Sequence, residues 1–206
     1  METLKEIYEF SVDLRCSELL SALIRDHFHG RIIASASLRA RSIVALQLIA
    51  EADPATPVVF CHAGPLYPES EDYRDYIIDR FGLSDVRTLH DDESAHDKGR
   101  EEHIEWIMAS AAGGGEVKQA IYLNRTLKDF DCWLSSVYHM PRESHVLHRI
   151  DFEGHLLRVN PLLRWTDEDV HRFMRAREIP YHKRANRKSK IINSLDYAEP
   201  VVTYTY

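Results

Sequence analysis

Serine and arginine side chains crowd one turn of this chain, between an apolar strand and an apolar helix in IIASASLRARSIVALQLI (residues 32–49). Backbone N–H groups at a helix N-terminus bind phosphate, and hydroxyl and guanidinium groups add hydrogen bonds to it. The candidate anion-binding residues here are Ser35, Ser37, Arg39, Arg41 and Ser42. Two alternatives stay open: Ser37 simply caps the helix, or the two arginines are solvated and fill the place of the anion.

A second group of candidate functional residues lies at the end of the next apolar run, TPVVFCH (residues 56–62). Cys61 and His62 are the residue types of an activated nucleophile. Adjacent strand residues point to opposite faces, so only one of the two can face a ligand. Cys61 is therefore a candidate nucleophile and His62 a candidate binding residue, and no catalytic residue is assigned.

The elements that must position these residues alternate along the first ninety positions. The pattern predicts helices over 11–29 and 39–52, a helix ended by Gly82, and strands over 31–36, 56–62 and 85–90. Short links between such elements predict a parallel sheet with helices on both faces. Ligands of such sheets bind beyond the carboxyl ends of the strands, the edge on which Ser37, His62 and His90 fall.

The second half of the chain carries weaker signals. It predicts a helix over 119–129, a strand in DCWLSSV (residues 131–137) and a β-hairpin over 146–163 about Glu153-Gly154. Thr166 and Asp169 form a capping box that opens a last amphipathic helix.

Three segments resemble the PAPS (3′-phosphoadenylyl sulfate) reductase family of the adenine-nucleotide α-hydrolase-like group. They are FCHAGPLYPESEDYRDYIIDRFGL (residues 60–83), LLRVNPLLRWTDEDVHRFMRAREIPYH (residues 156–182) and the serine- and arginine-rich turn. The resemblance implies an α/β three-layer sandwich whose mainly parallel sheet of five to six strands has helices on both faces. It also implies an adenylyl nucleotide at the carboxyl edge of that sheet. We expect a PAPS reductase-like domain over 1–182 and a basic, divergent tail over 183–206.

The sequence departs from the family pattern at several of its site positions. The glycine of the family's S-x-G turn falls at Arg39, and the D-T-G motif reads His62-Ala63-Gly64, which leaves Gly64 as a candidate binding residue. The arginine-rich segment of the family has Tyr138 and His139 in its arginine positions, with Arg142 nearby as a candidate substitute.

The family's E-C-G-x-H segment, whose cysteine attacks sulfur, is absent from this sequence. The last cysteine, Cys132, lies in a predicted strand, where a thiol ionises poorly. Three scattered cysteines do not supply a four-cysteine iron–sulfur cluster, and no metal site is expected.

We therefore expect a PAPS reductase-like protein that binds an adenylyl nucleotide or a related anion and has lost thiol-based sulfonucleotide reduction. Two alternatives remain. One is a divergent enzyme that acts at a nucleotide α-phosphate, by adenylation or by sulfonucleotide reduction with a non-standard thiol. The other is a scaffold or inhibitor that reuses the fold.

The remaining expectations concern partners and location. A formal net charge of −7 argues against general nucleic-acid binding, which leaves only the basic run 183–190 as a candidate contact. No run of apolar residues is long enough to span a membrane, and the N-terminal residues do not resemble a secretory signal. We expect a cytoplasmic protein, with a protein partner or a homodimer left open.

Overall fold

The computed structural model describes residues 7, 9, 11, 14–61, 67–87, 126–136, 148–153 and 156–183. Its six strands are β1 (Ile32–Ala36), β2 (Val58–Phe60), β3 (Val86–Arg87), β4 (Cys132–Leu134), β5 (Ile150–Glu153) and β6 (Leu156–Val159). They form one sheet in the order β3-β2-β1-β4-β6-β5. All neighbouring pairs are parallel except β5 and β6, which are antiparallel. The mainly parallel sheet and the hairpin are confirmed.

Four α-helices lie entirely within the described part of the chain: α1 (Cys16–Ser21), α2 (Ala40–Ala52), α3 (Pro68–Phe81) and α4 (Asp167–Ala176). Helix α1 continues as a π-helical segment, Ala22–His27. Gly30 and Gly82 follow the first and third helices with φ of 72° and 68°, a backbone conformation that glycine adopts without steric penalty.

Two helices begin later than the sequence pattern predicts. Arg15 is extended at ψ 160° and is the N-cap of α1, whereas Ser11 is helical, so the single helix predicted over 11–29 is interrupted before Cys16. Arg39 is extended at φ −77° and ψ 149° and is the N-cap of α2. The interpretation of Ser37 as the helix cap is therefore wrong, because the cap position lies two residues further on.

Alternate residues of the strands pack on opposite faces of the sheet. On one face, residues such as Ile32, Ala34 and Val58 join a core with all four helices. On the opposite face, called the second face below, Ile33, Val59, Cys61, Trp133 and Leu156 pack with Leu127 and Phe130. Because β1, β2, β4 and β6 run in the same direction, their carboxyl ends share one edge.

Membrane-spanning helices and metal-binding side-chain clusters are both absent from the described residues. None of the helices there is both long enough and apolar enough to cross a membrane. Nor do histidine, cysteine, aspartate and glutamate side chains of these residues gather into a group of three that could hold a metal ion.

Candidate functional site

The turn between β1 and α2 is closed by its own serines. The N–H group of Ser37 donates to Ser42 Oγ at 2.8 Å, and the N–H group of Arg39 lies 3.4 Å from Ser37 Oγ. Ser37 and Ser42 are each only 2% exposed. The sequence places these two serines at one turn, and the structure shows that their polar groups fix its shape.

This turn presents the start of α2 at the carboxyl edge of the sheet. The N–H groups in the first turn of a helix have no intrahelical acceptor, and the helix dipole is positive there. Both features favour an anion, and the extended backbone of Arg39 lies at the same place.

Ser35 lies one position before the end of β1, and its hydroxyl has a partner within the sheet. The Nε1–H of Trp133 donates to Ser35 Oγ at 2.9 Å, and both residues are buried. Ser35 thus ties β1 to β4 on the second face of the sheet. Its predicted role in anion binding stays a prediction.

The two arginines of the turn differ in their surroundings. Arg39 is exposed, and among the described residues no carboxylate forms an ion pair with its side chain. The Arg41 side chain is only 10% exposed and pairs with Asp167 at 3.1 Å. Arg39 is therefore the arginine of this turn that is available to an anion from solution.

The three cysteines are buried, each in the hydrophobic core. Burial raises the pKa of the Cys16 thiol to about 12, although the positive charge of Arg149 partly opposes the shift. Burial also raises the pKa of the Cys132 thiol, and the charge of Asp131 adds to the shift. Both thiols are protonated at neutral pH and are poor nucleophiles.

Cys61 comes directly after β2, at the edge where the ligand is expected. Its side chain is 2% exposed and lies among the apolar residues of the second face, with Sγ 3.9 Å from the carbonyl oxygen of Val59. Its N–H group donates to the carbonyl oxygen of Ala36 at 2.7 Å, which ties the ends of β1 and β2 together.

The other candidate residues, His62, Gly64 and Arg142, lie outside the described residues, as does the tail beyond Lys183. Sequence reasoning missed three polar residues at the same edge. Ser135 and Ser136 follow β4, Asn160 follows β6, and all three are buried. The signal in the sequence was the polar residues that directly follow two short apolar strands.

The sequence profile of the phosphoadenosine phosphosulfate reductase domain matches residues 31–188, from the start of β1 to beyond α4. The chain belongs to this family. It is 26% identical over 163 residues to the phosphoadenosine 5′-phosphosulfate reductase of Alkalilimnicola ehrlichii, and this match covers 75% of this chain and 65% of that protein. It is 29% identical over 167 residues to the adenosine 5′-phosphosulfate reductase of Mesorhizobium japonicum, and this match covers 79% of this chain and 64% of that protein.

The matches therefore span slightly less than two thirds of the length of these two relatives. Among solved structures, the chain is similar to phosphoadenylyl-sulfate reductase from Candida auris in a phosphate complex, with a TM-score of 0.62 and 16% identity. That match covers 98% of each chain. At this identity the similarity shows the shared α/β fold.

Proposed function

We propose that this protein binds an adenine sulfonucleotide, or a related adenylyl anion, at the carboxyl edge of its sheet. The observation that carries the proposal is the self-closed turn between β1 and α2, which lies within the family match over residues 31–188. It presents helical N–H groups and the exposed Arg39 at the edge where parallel sheets bind ligands. The names of the relatives include phosphoadenosine 5′-phosphosulfate and adenosine 5′-phosphosulfate. Both nucleotides carry anionic groups that such a turn can bind.

We further propose that none of the three cysteines of this sequence serves as a nucleophile in sulfonucleotide reduction. A thiol that attacks sulfur must be ionised and must reach the ligand. Burial holds Cys16 and Cys132 protonated, and the Cys61 side chain is packed among apolar residues of the second face.

Calorimetric titration with adenosine 5′-phosphosulfate, PAPS and AMP tests the binding proposal. We expect saturable binding of at least one sulfonucleotide, and weaker binding by the Arg39→Ala variant. The matched control is Arg175→Ala, which removes an exposed arginine near the end of α4. An absence of binding by all three nucleotides contradicts the proposal.

Sulfonucleotide reduction is the second candidate function, and the reductase names of the relatives favour it. Within this sequence Cys61 is the thiol closest to the proposed site. Release of sulfite from a sulfonucleotide, in the presence of a dithiol reductant, would support this candidate. If Cys61→Ser then left the rate of sulfite release unchanged, Cys61 would be excluded as the nucleophile.

A further inference from the structure

Arg41 joins the start of α2 to the segment that links β6 to α4. Its Nη1 donates to the carbonyl oxygen of Leu162 at 2.9 Å, and its Nη2 donates to the carbonyl oxygen of Trp165 at 3.1 Å. Nη2 also donates to Asp167 Oδ1 at 3.1 Å. One guanidinium group therefore binds two backbone carbonyl groups and one carboxylate, more than 120 residues away along the chain.

The placement of this cation is unfavourable on its own. Arg41 is the second residue of α2, near the positive end of the helix dipole, and its side chain is only 10% exposed. A buried charge in such a place persists only where acceptors compensate for the lost water. The carbonyl and carboxylate oxygens supply this compensation, since the planar fork of arginine donates to several acceptors at once.

The segment that Arg41 holds forms another part of the carboxyl edge. It begins at Asn160, directly after β6, and it contains its own hydrogen bonds. The N–H group of Leu163 donates to the carbonyl oxygen of Asn160 at 3.3 Å, and that of Trp165 donates to the carbonyl oxygen of Leu162 at 2.9 Å. Arg41 binds the carbonyl groups of Leu162 and Trp165, so it ties this folded segment to the turn between β1 and α2.

We propose that Arg41 is a positioning residue for the nucleotide site, which fixes the segment 160–166 relative to the turn between β1 and α2. The inference rests on the proposed function, because it assigns Arg41 a role in that same site. Arg41 acts through its protein contacts and does not touch the anion. The two parts of the edge keep one relative position, and a nucleotide meets both without first having to order either.

The test compares Arg41→Lys, Asp167→Asn and the control Arg172→Lys. Lysine keeps the charge of Arg41 but loses the planar fork, whereas Asp167→Asn keeps both carbonyl contacts. The control makes the same change at an exposed arginine of α4, whose ion pairs involve only its own helix. We expect the dissociation constant for adenosine 5′-phosphosulfate to rise about tenfold in Arg41→Lys. It should rise less in Asp167→Asn and stay unchanged in Arg172→Lys.

Amide hydrogen exchange supplies a readout that does not need the ligand. We expect faster exchange at Leu163 and Trp165 in Arg41→Lys, with little change at the buried amides of β1. If the folded Arg41→Lys variant binds the nucleotide as the wild type does, the positioning role is wrong. Unchanged exchange at Leu163 and Trp165 also overturns it. Failure of the wild type to bind adenosine 5′-phosphosulfate, PAPS or AMP instead refutes the proposed function, so the two failures are distinguishable.

Discussion

Replacement of Ser42 by alanine tests whether the hydrogen bond between Ser37 and Ser42 stabilises the turn between β1 and α2. In the folded protein Ser42 Oγ accepts the N–H group of Ser37 at 2.8 Å, and both residues are buried. Ser42→Ala leaves that N–H group without its acceptor and without water, a loss of about 1–3 kcal/mol in the free energy of unfolding. Alanine recovers about 0.5 kcal/mol through its higher helix propensity. The expected net loss is about 0.5–2.5 kcal/mol.

The assay is urea unfolding followed by tryptophan fluorescence, with a thermal scan as a second measure. For a chain of this size, each kcal/mol lowers Tm by about 2–4 °C, so Ser42→Ala should lower it by about 1–10 °C. The matched control is Ser17→Ala, which makes the same replacement at an exposed residue of α1. If the two variants unfold at the same urea concentration, the Ser37–Ser42 hydrogen bond does not stabilise the turn and our explanation of its shape is wrong.

Three further expectations concern the site, the thiols and the end of the described chain. Arg39→Ala should weaken sulfonucleotide binding about tenfold, the loss of one charge-assisted hydrogen bond, while Arg175→Ala leaves the dissociation constant unchanged; equal effects in calorimetry would refute the role of Arg39. A chromogenic disulfide reagent at pH 8 should label none of the three cysteines quickly in the folded protein and all three after unfolding, because the thiols are buried; a fast-reacting thiol in the folded state would contradict this. Tyr73→Phe removes the hydrogen bond from the phenol to the Pro180 carbonyl oxygen at 2.7 Å and should lower the free energy of unfolding by about 1 kcal/mol near pH 7. Burial, together with two neighbouring tyrosines, raises the pKa of Tyr73 above its usual 10.0. The protonated phenol therefore stabilises the folded state in full below pH 10.0, and this stabilisation is lost as the pH rises from there through the raised pKa. Urea unfolding as a function of pH should therefore show a flatter alkaline decline in Tyr73→Phe than in the wild type; parallel curves would show that Tyr73 does not titrate in this way.

Local signals in the sequence predicted several elements well. The alternating runs about Glu153-Gly154 predict the antiparallel pair β5 and β6. Thr166 and Asp169 predict the start of α4, where Thr166 Oγ1 accepts the N–H group of Asp169 at 3.2 Å. These features depend on residues a few positions apart, so their chemistry is visible in the sequence itself.

Contacts between distant residues were not predictable in this way. Nothing near Arg41 in the sequence indicates that its partners are Leu162, Trp165 and Asp167. The prediction therefore placed Arg41 beside Arg39 as an anion ligand, whereas the structure gives its guanidinium group protein acceptors. The start of α1 also differs from the prediction. The sequence pattern predicts helix from residue 11 onward, whereas the backbone at Arg15 is extended.

The place of the turn between β1 and α2 was predictable, since the strand–turn–helix order of the sequence puts that turn at the carboxyl edge of the sheet. The division of roles within that turn depends on three-dimensional contacts. Ser37 and Ser42 bind each other, Ser35 accepts from Trp133, and Arg39 alone of the two arginines is exposed. Each of these facts depends on which way a side chain points, which residue types alone do not determine.

The most direct test of the central claim is a nuclear magnetic resonance titration of the isotopically labelled protein with adenosine 5′-phosphosulfate. If the turn between β1 and α2 binds the anion, the largest saturable changes in amide chemical shift will fall on residues 38–42. An absence of saturable changes, or changes confined to the exposed face of α4, would contradict the claim.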